Sequence, residues 1–250
     1  MGVDSGLPDF RGDEGFWRAY PPLKQLGLNF YDMADPHWFR TDPEQAWGFY
    51  GHRLQLYRST QPHNGYSLLK TWCQNVNKDS FVFTSNVDGH FQTTGFLPEN
   101  ILECHGSINH LQCSTPCRPD TWPAGDIQID LDLATFRARD PLPRCHNCEA
   151  IARPNILMFQ DYQWNTHRTR KQAKHYENWL TTHKDSQITV IEIGAGTTIP
   201  TVRHEAERIA NLPNAQLVRI NPREYRCSTD GIGIQRKAKD AVEQLDQLIP

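Results

Sequence analysis

The chain has 250 residues, 38% apolar, 10% aromatic and 22% charged: enough to bury a real core, and too mixed for a collagen-like, coiled-coil or fully disordered chain. Its net charge of −3 gives no global basic field to draw it onto nucleic acid or anionic lipid, and no apolar run approaches the roughly 18 residues of a membrane-spanning helix. Seven cysteines with no charged-then-apolar leader predict a reducing, cytoplasmic setting rather than a disulfide scaffold.

Residues 12–38, rich in Pro, Gly and aromatics, read as a long ordered loop with short helices. Amphipathic spacing predicts helices over 43–57 and 65–75. Short β-branched or aromatic runs at 80–84 (SFVFT), 100–104 (NILEC), 156–159 (ILMF), 188–193 (ITVIEI) and 216–220 (QLVRI) predict buried strands of a mostly parallel sheet. Residues 113–148, with several prolines, scattered Asp and Arg and two cysteine pairs, read as a small inserted module with little core of its own. A helix over 201–211, with Val202, Ala206, Ile209 and Ala210 on one side, joins the last two strands into a βαβ unit. A helix over 238–248 closes the chain. The fold class is α/β, a parallel sheet covered by helices plus a small insert.

Cys113 and Cys117 form one closely spaced pair and Cys145 and Cys148 another. Two or three residues between thiolates is the reach of a zinc knuckle, and four thiolates complete a tetrahedral shell with no open position, so such a site is structural. Four unrelated thiols and a redox Cys-x-x-Cys are the other readings; the redox one suffers because neither pair opens a helix after a strand. His110 and His146 sit nearby, but four cysteines already fill the shell. Cys73, Cys104 and Cys227 read as packing residues.

Gly194-Ala195-Gly196-Thr197-Thr198 follows a predicted strand and precedes a predicted helix, where backbone N–H groups can meet a phosphate. It lacks the full dinucleotide fingerprint, and a purely structural turn reads equally well. Asn221 ends the next strand, where its amide could reach a ribose or adenine. Segments 84–90 (TSNVDGH) and 103–107 (ECHGS) follow two other strands, and ligands of open parallel sheets bind at such carboxyl ends. An imidazole among amides and carboxylates there, with an ordinary pKa near 6.5, suits general-base work.

Ser5-Gly6-Leu7-Pro8-Asp9-Phe10-Arg11, Thr84-Ser85-Asn86-Val87-Asp88, His105-Gly106-Ser107, the two cysteine pairs, Gly194 to Thr198 and Asn221 occur in an order that resembles the sirtuin family of NAD-dependent protein-lysine deacylases. The resemblance implies a Rossmann-like domain of residues 1–108 and 150–250 and a zinc-binding module of residues 109–149. NAD and an acyl-lysine peptide would meet between them. It further implies that the acyl oxygen attacks the ribose carbon as nicotinamide leaves, and that a histidine, here His105, activates a ribose hydroxyl. O-acyl-ADP-ribose and free lysine result. Asn86 and Asp88 would orient the nicotinamide ribose and carboxamide. Ser5, Asp9, Phe10 and Arg11 would belong to the cofactor loop, Phe10 screening the reactive centre. Gly194, Gly196, Thr197, Thr198 and Asn221 would contact the rest of NAD, and Cys113, Cys117, Cys145 and Cys148 would hold one structural zinc. The implied partners are acylated lysines of proteins or peptides, with neither nucleic acid nor membrane.

Tyr50 and Arg53 are three apart on the predicted 43–57 helix and so share a face. The pair resembles the Tyr-x-x-Arg of sirtuins that accept succinyl- and malonyl-lysine, an Arg fork matching a carboxylate; an ordinary helix-surface pair reads equally well. Three departures stand out. Ser85 replaces a family glutamine, and Phe159-Gln160-Asp161 stands for F-G-E. Met1 falls inside a G-A-G-x-S turn that family members place after an apolar central strand, so a strand and turn are expected upstream, and a chain beginning here is expected to bind NAD weakly and to be poorly soluble. An NAD glycohydrolase or ADP-ribosyltransferase on the same scaffold, and an inactive NAD- or peptide-binding module, are the competing functions.

Overall fold

The computed structural model describes residues 1–9, 13–75, 80–227 and 230–249. A 3-10 turn, Gly2–Ser5, is followed by four short helices, α1 (Asp13–Ala19), α2 (Pro21–Gln25), α3 (Phe30–Met33) and α4 (Trp38–Thr41). α5 (Pro43–Ser59) and α6 (Asn64–Asn75) lead into β1 (Val82–Thr84), α7 (His90–Thr93), β2 (Ile101–Glu103) and β3 (Gly106–Cys113). The insert supplies β4 (Trp122–Pro123), β5 (Leu131–Asp132) and β6 (Arg137–Ala138) before β7 (Ala152–Ile156) returns beside β3. α8 (His167–Thr182), β8 (Ile188–Ile193), α9 (Thr201–Ala210), β9 (Ala215–Ile220), β10 (Ile232–Ile234) and α10 (Ala238–Asp246) complete the chain. Among the described residues no helix is long and apolar enough to cross a membrane.

The parallel strands form two groups rather than one continuous sheet: β1 with β2, and β8, β9 and β10 in the order β10-β9-β8. Side chains alternate between the faces of a strand, and here each face meets different helices. Ile188 and Val190 of β8 join Phe81, Phe83 and Leu102 against Tyr176 and Leu180 of α8 and Ile209 of α9. Ile193, Val218, Ile220 and Ile234 face Leu69 of α6 and Ala241 and Val242 of α10. Helices therefore cover both faces.

The strand expected over 156–159 lies upstream, at β7, and runs antiparallel to β3 instead of joining the parallel strands. Its Arg153 and Asn155 are fully buried polar residues whose partners lie inside the protein: Asp161 for Arg153, and Gln112 and the Asn165 carbonyl for Asn155. Such partners let a polar sequence serve as a core strand.

α5 is buried nearly all round because the insert packs on it. A Cβ at Gly48 would stand 1.9 Å from the Phe136 carbonyl oxygen, and one at Gly51 2.8 Å from Ile129. Ile129, Phe136, Ala138 and Leu142 of the insert share one cluster with Trp47, Phe49, Tyr50 and Leu54 of α5 and with Phe16 and Tyr20. The helix starts where Asp42 accepts the Gln45 N–H at 3.2 Å and Pro43 takes the first turn.

Candidate functional site

The carboxyl ends of β1 and β2 are joined where the Cys104 N–H donates to the Thr84 carbonyl at 2.9 Å. Beyond β1, Thr84 Oγ1 accepts the Asn86 N–H at 3.0 Å and Asp88 Oδ1 accepts the His90 N–H at 2.9 Å, two local turns that fix this polar loop. Asn86 and Asp88 are half-buried. The Ile108 N–H donates to the Val87 carbonyl at 3.0 Å, tying the loop to β3.

His105, also half-buried, occupies the turn from β2 into β3. Its carbonyl accepts the Leu157 N–H at 2.9 Å. Gly106 has φ 79°, and a Cβ there would lie 2.0 Å from the Asn155 carbonyl oxygen, so only glycine lets the turn pass β7. His105 Nε2 lies 3.4 Å from Oγ1 of Thr201, the first residue of α9. The ends of the two parallel groups thus meet at this imidazole.

The 194–198 turn is pinned from outside. Gly194 (φ 68°) donates its N–H to the Ile220 carbonyl at 2.9 Å. The Ala195 carbonyl accepts from Asn221 Nδ2 and from Arg203 Nη2, both at 3.0 Å, and Arg203 also reaches the Glu224 carbonyl at 2.7 Å. Asn221 Oδ1 accepts the N–H groups of Arg223 and Glu224 at 2.9 Å. The Asn221 side chain therefore holds the loop's shape. The Thr197 hydroxyl donates to the Glu224 carboxylate, which holds that acid below its ordinary range. Gly196 is half-buried, and Thr197 and Thr198 are exposed at this edge.

The N-terminal turn spans both groups. A Cβ on Gly194 would lie 3.7 Å from the Met1 nitrogen, and one on Gly2 would lie 3.4 Å from Asp88 Oδ2. Ser5 Oγ accepts the His63 N–H at 3.0 Å, so its hydroxyl serves the entry to α6, while Asp9 is exposed. Phe10 and Arg11 lie outside the described residues.

Tyr50 and Arg53 share a face of α5, but that face is core: they are 1% and 6% exposed, which excludes an ordinary surface pair. The guanidinium carbon lies 5.3–5.6 Å from the ring centroids of Phe30, Phe49, Tyr50 and Tyr57, a cation–π enclosure. Nε and Nη2 of Arg53 both donate to the Tyr57 hydroxyl, at 3.1 and 2.7 Å. Tyr50 Oη is buried without a hydrogen-bond partner among the described residues, and burial pushes its pKa up to about 12.

The sulfur atoms of Cys113, Cys117, Cys145 and Cys148 all lie within 4.8 Å of one another, with Cys113–Cys148 and Cys117–Cys145 each at 3.5 Å. Thiolates around a tetrahedral zinc, at Zn–S of about 2.3 Å, stand roughly 3.8 Å apart. The donor set and spacing fit that ion, and neither His110 nor His146 joins the cluster. Asn147 Nδ2 donates to Cys117 Sγ at 3.6 Å, an outer-shell contact.

Three contributors escape the strand-end reading of the sequence: Thr201, Arg203 and Tyr57. Tyr57 had a local signal, since it stands one helical turn beyond Arg53. Thr201 had only its place after the glycine turn, and its partner is 96 residues away.

The family model for the Sir2 family matches residues 1–183. An NAD-dependent protein deacetylase of Caldivirga maquilingensis is 28% identical over 159 residues, covering 64% of this chain and 54% of the relative. One from Saccharolobus solfataricus is 30% identical over 187 residues, covering 74% and 66%. An NAD-dependent protein deacylase of Aquifex aeolicus is 23% identical over 228 residues, covering 90% and 80%. The chain thus spans about half to two thirds of the first two relatives. A Sir2 homolog solved with NAD superposes with a TM-score of 0.69 at 20% identity, covering 98% of this chain and 84% of that one. A structure from work on sirtuin substrate affinity gives 0.71 at 17% identity, covering 100% and 91%. These superpositions agree in fold with the sequence match over residues 1–183: the chain belongs to the Sir2 family.

Proposed function

We propose that the chain is an NAD-dependent protein-lysine deacylase with His105 as its general base. The observation that carries this reading is the meeting of His105 Nε2 with Thr201 Oγ1 at 3.4 Å, which sets an imidazole directly beside the segment that follows the glycine turn. Bound NAD would supply a ribose carbon activated for loss of nicotinamide, so that acyl-lysine, NAD and one water would give nicotinamide, O-acyl-ADP-ribose and free lysine. His105 takes the proton of a ribose hydroxyl at Nε2. Asn86 and Asp88, held by the turns after β1, orient the nicotinamide ribose and carboxamide. Gly194, Gly196, Thr197 and Thr198 line the far end of the dinucleotide, with Asn221 keeping their backbone in place. Ser5, Asp9, Phe10 and Arg11 belong to the cofactor-binding segment in this reading, and a dry site strengthens every fixed dipole in it.

In this reading residues 109–149 form the zinc-bearing lobe, and residues 1–108 with 150–250 bind NAD. The names of the relatives support a protein or peptide substrate bearing an acylated lysine. A buried guanidinium beside a buried phenol that has no hydrogen-bond partner among the described residues supports a dicarboxylic acyl group such as succinyl or malonyl, with Arg53 meeting its carboxylate and Tyr50 donating a hydrogen bond. A cytoplasmic location without nucleic-acid or membrane partners belongs to the same reading, on composition.

Mass spectrometry after incubation with NAD and acetyl- or succinyl-lysine peptides tests it. O-acyl-ADP-ribose should form with the wild type and vanish with His105→Ala. Nicotinamide release that does not need an acylated peptide would instead favour a glycohydrolase, and no turnover of either kind a binding module.

A further inference from the structure

Glu103 ends β2 two residues before His105, and side chains of α8 hold it by carboxylate, N–H and carbonyl together. Its Oε2 accepts from Arg168 Nη2 and, at 3.4 Å, from Gln172 Nε2. Its N–H donates to Gln172 Oε1 at 3.2 Å, and its carbonyl accepts the Thr169 hydroxyl at 3.4 Å. β2 is a three-residue strand paired with β1 alone among the described residues, so the polar groups of its other edge need partners from outside the sheet. Arg168 and Gln172 supply them from one face of the helix, a turn apart. The Glu103 side chain is 1% exposed and that of Arg168 17%, so the ion pair sits mostly out of water. The next two residues are tied as well: the Cys104 N–H to the Thr84 carbonyl and the His105 carbonyl to the Leu157 N–H, both at 2.9 Å.

We infer that Arg168 and Gln172 are positioning residues for the proposed reaction: by gripping Glu103 they fix the backbone that carries the His105 imidazole. This rests on the reading of His105 as the general base. A base acts only within hydrogen-bond reach of the proton it takes, and a displacement of about 1 Å can cost about 100-fold in rate. Without Arg168, Glu103 becomes an uncompensated buried charge at the end of a short strand. Its move toward water would draw the turn bearing His105 along with it.

In the proposed reaction nicotinamide leaves before the base acts, so the two events can be timed separately. The test is a single turnover of NAD with an acetyl- or succinyl-lysyl peptide on the full chain, following nicotinamide and deacylated peptide in the same sample. The ratio of the two rates is read, so a loss of folded protein cancels. Relative to nicotinamide release, Arg168→Met is expected to slow deacylation by about 10- to 100-fold and Gln172→Ala by about 3- to 10-fold. Arg168→Lys should restore most of the ratio. Gln172→Ala removes no charge and decides alone should Arg168→Met fail to fold. If His105→Ala lowers the ratio and the α8 variants do not, the grip only closes the sheet edge: the positioning role is wrong and the base reading survives. If His105→Ala itself leaves the ratio unchanged, both fall.

Discussion

Arg153 and Asp161 make two parallel hydrogen bonds of 2.8 Å with side chains only 1% and 0% exposed. The pair joins β7 to the loop that also carries Leu157, whose N–H is held by the His105 carbonyl. Removing one partner of such a pair strands the other charge in the interior, at a cost of about 3–5 kcal/mol. Asp161→Asn is therefore expected to lower the urea-unfolding free energy by about that amount, and Arg153→Met with Asp161→Leu to recover much of it. A loss below about 1 kcal/mol for Asp161→Asn would mean the pair is not isolated from water.

Thr201 offers a subtler test of the base. His105 Nε2 and Thr201 Oγ1 stand 3.4 Å apart, so the Thr201 side chain limits how the imidazole can turn. In the proposed reading Thr201→Val lowers kcat about fivefold, the equivalent of about 1 kcal/mol, and Thr201→Ser restores it. An unchanged kcat would reduce Thr201 to a packing residue.

The β8–α9–β9 unit was legible because its apolar residues alternate along each strand, and β9 and β8 pair in register from Ile188 with Ala215 to Ile193 with Ile220. β7 was misplaced because Arg153 and Asn155 look like surface residues until their buried partners are known. α8 escaped notice because its buried side chains are only Tyr176 and Leu180 amid His, Arg and Lys. The same logic divides the site. His105, Asn86, Asp88 and the cysteines were visible because the positions follow strands or repeat at ligand spacing. The burial of Arg53 was not, since it depends on the insert and on Phe30 coming over α5 from elsewhere in the chain.

The four cysteines lead to a prediction about stability rather than rate. A closed four-thiolate site contributes its binding free energy to folding, and the insert it organises shares its core with α5 through Ile129, Phe136 and Leu142. Purified protein should contain one zinc per chain by atomic emission. Chelation or Cys145→Ser should lower the melting temperature by about 10 °C or more, and zinc should reverse the chelated state. Full metal occupancy in Cys145→Ser, or a melting temperature indifferent to chelation, would contradict a structural site.

Stability should also depend on pH in two separate windows. Burial brings His63 and His110 down to about 4, with His63 facing the N-terminal amine, Asp4, Lys239 and His90, and His110 facing Arg168 and Glu103. Unfolded histidine titrates near 6.5. Between about 6.5 and about 4 the unfolded chain therefore binds protons that the folded one refuses, and stability falls as pH drops through that range. Asp42 behaves oppositely in origin: burial works against ionisation, but the Arg137 hydrogen bond outweighs it and lowers the pKa. Its contribution is full above the ordinary carboxylate value and is lost only as pH falls below about 4. Urea midpoints measured from pH 7.5 to 4.5 should decline for the wild type and decline less for a His63→Asn/His110→Asn double variant, while Asp42→Asn should leave the slope in this window unchanged. Equal slopes in the wild type and the double variant would assign the acid sensitivity to other groups.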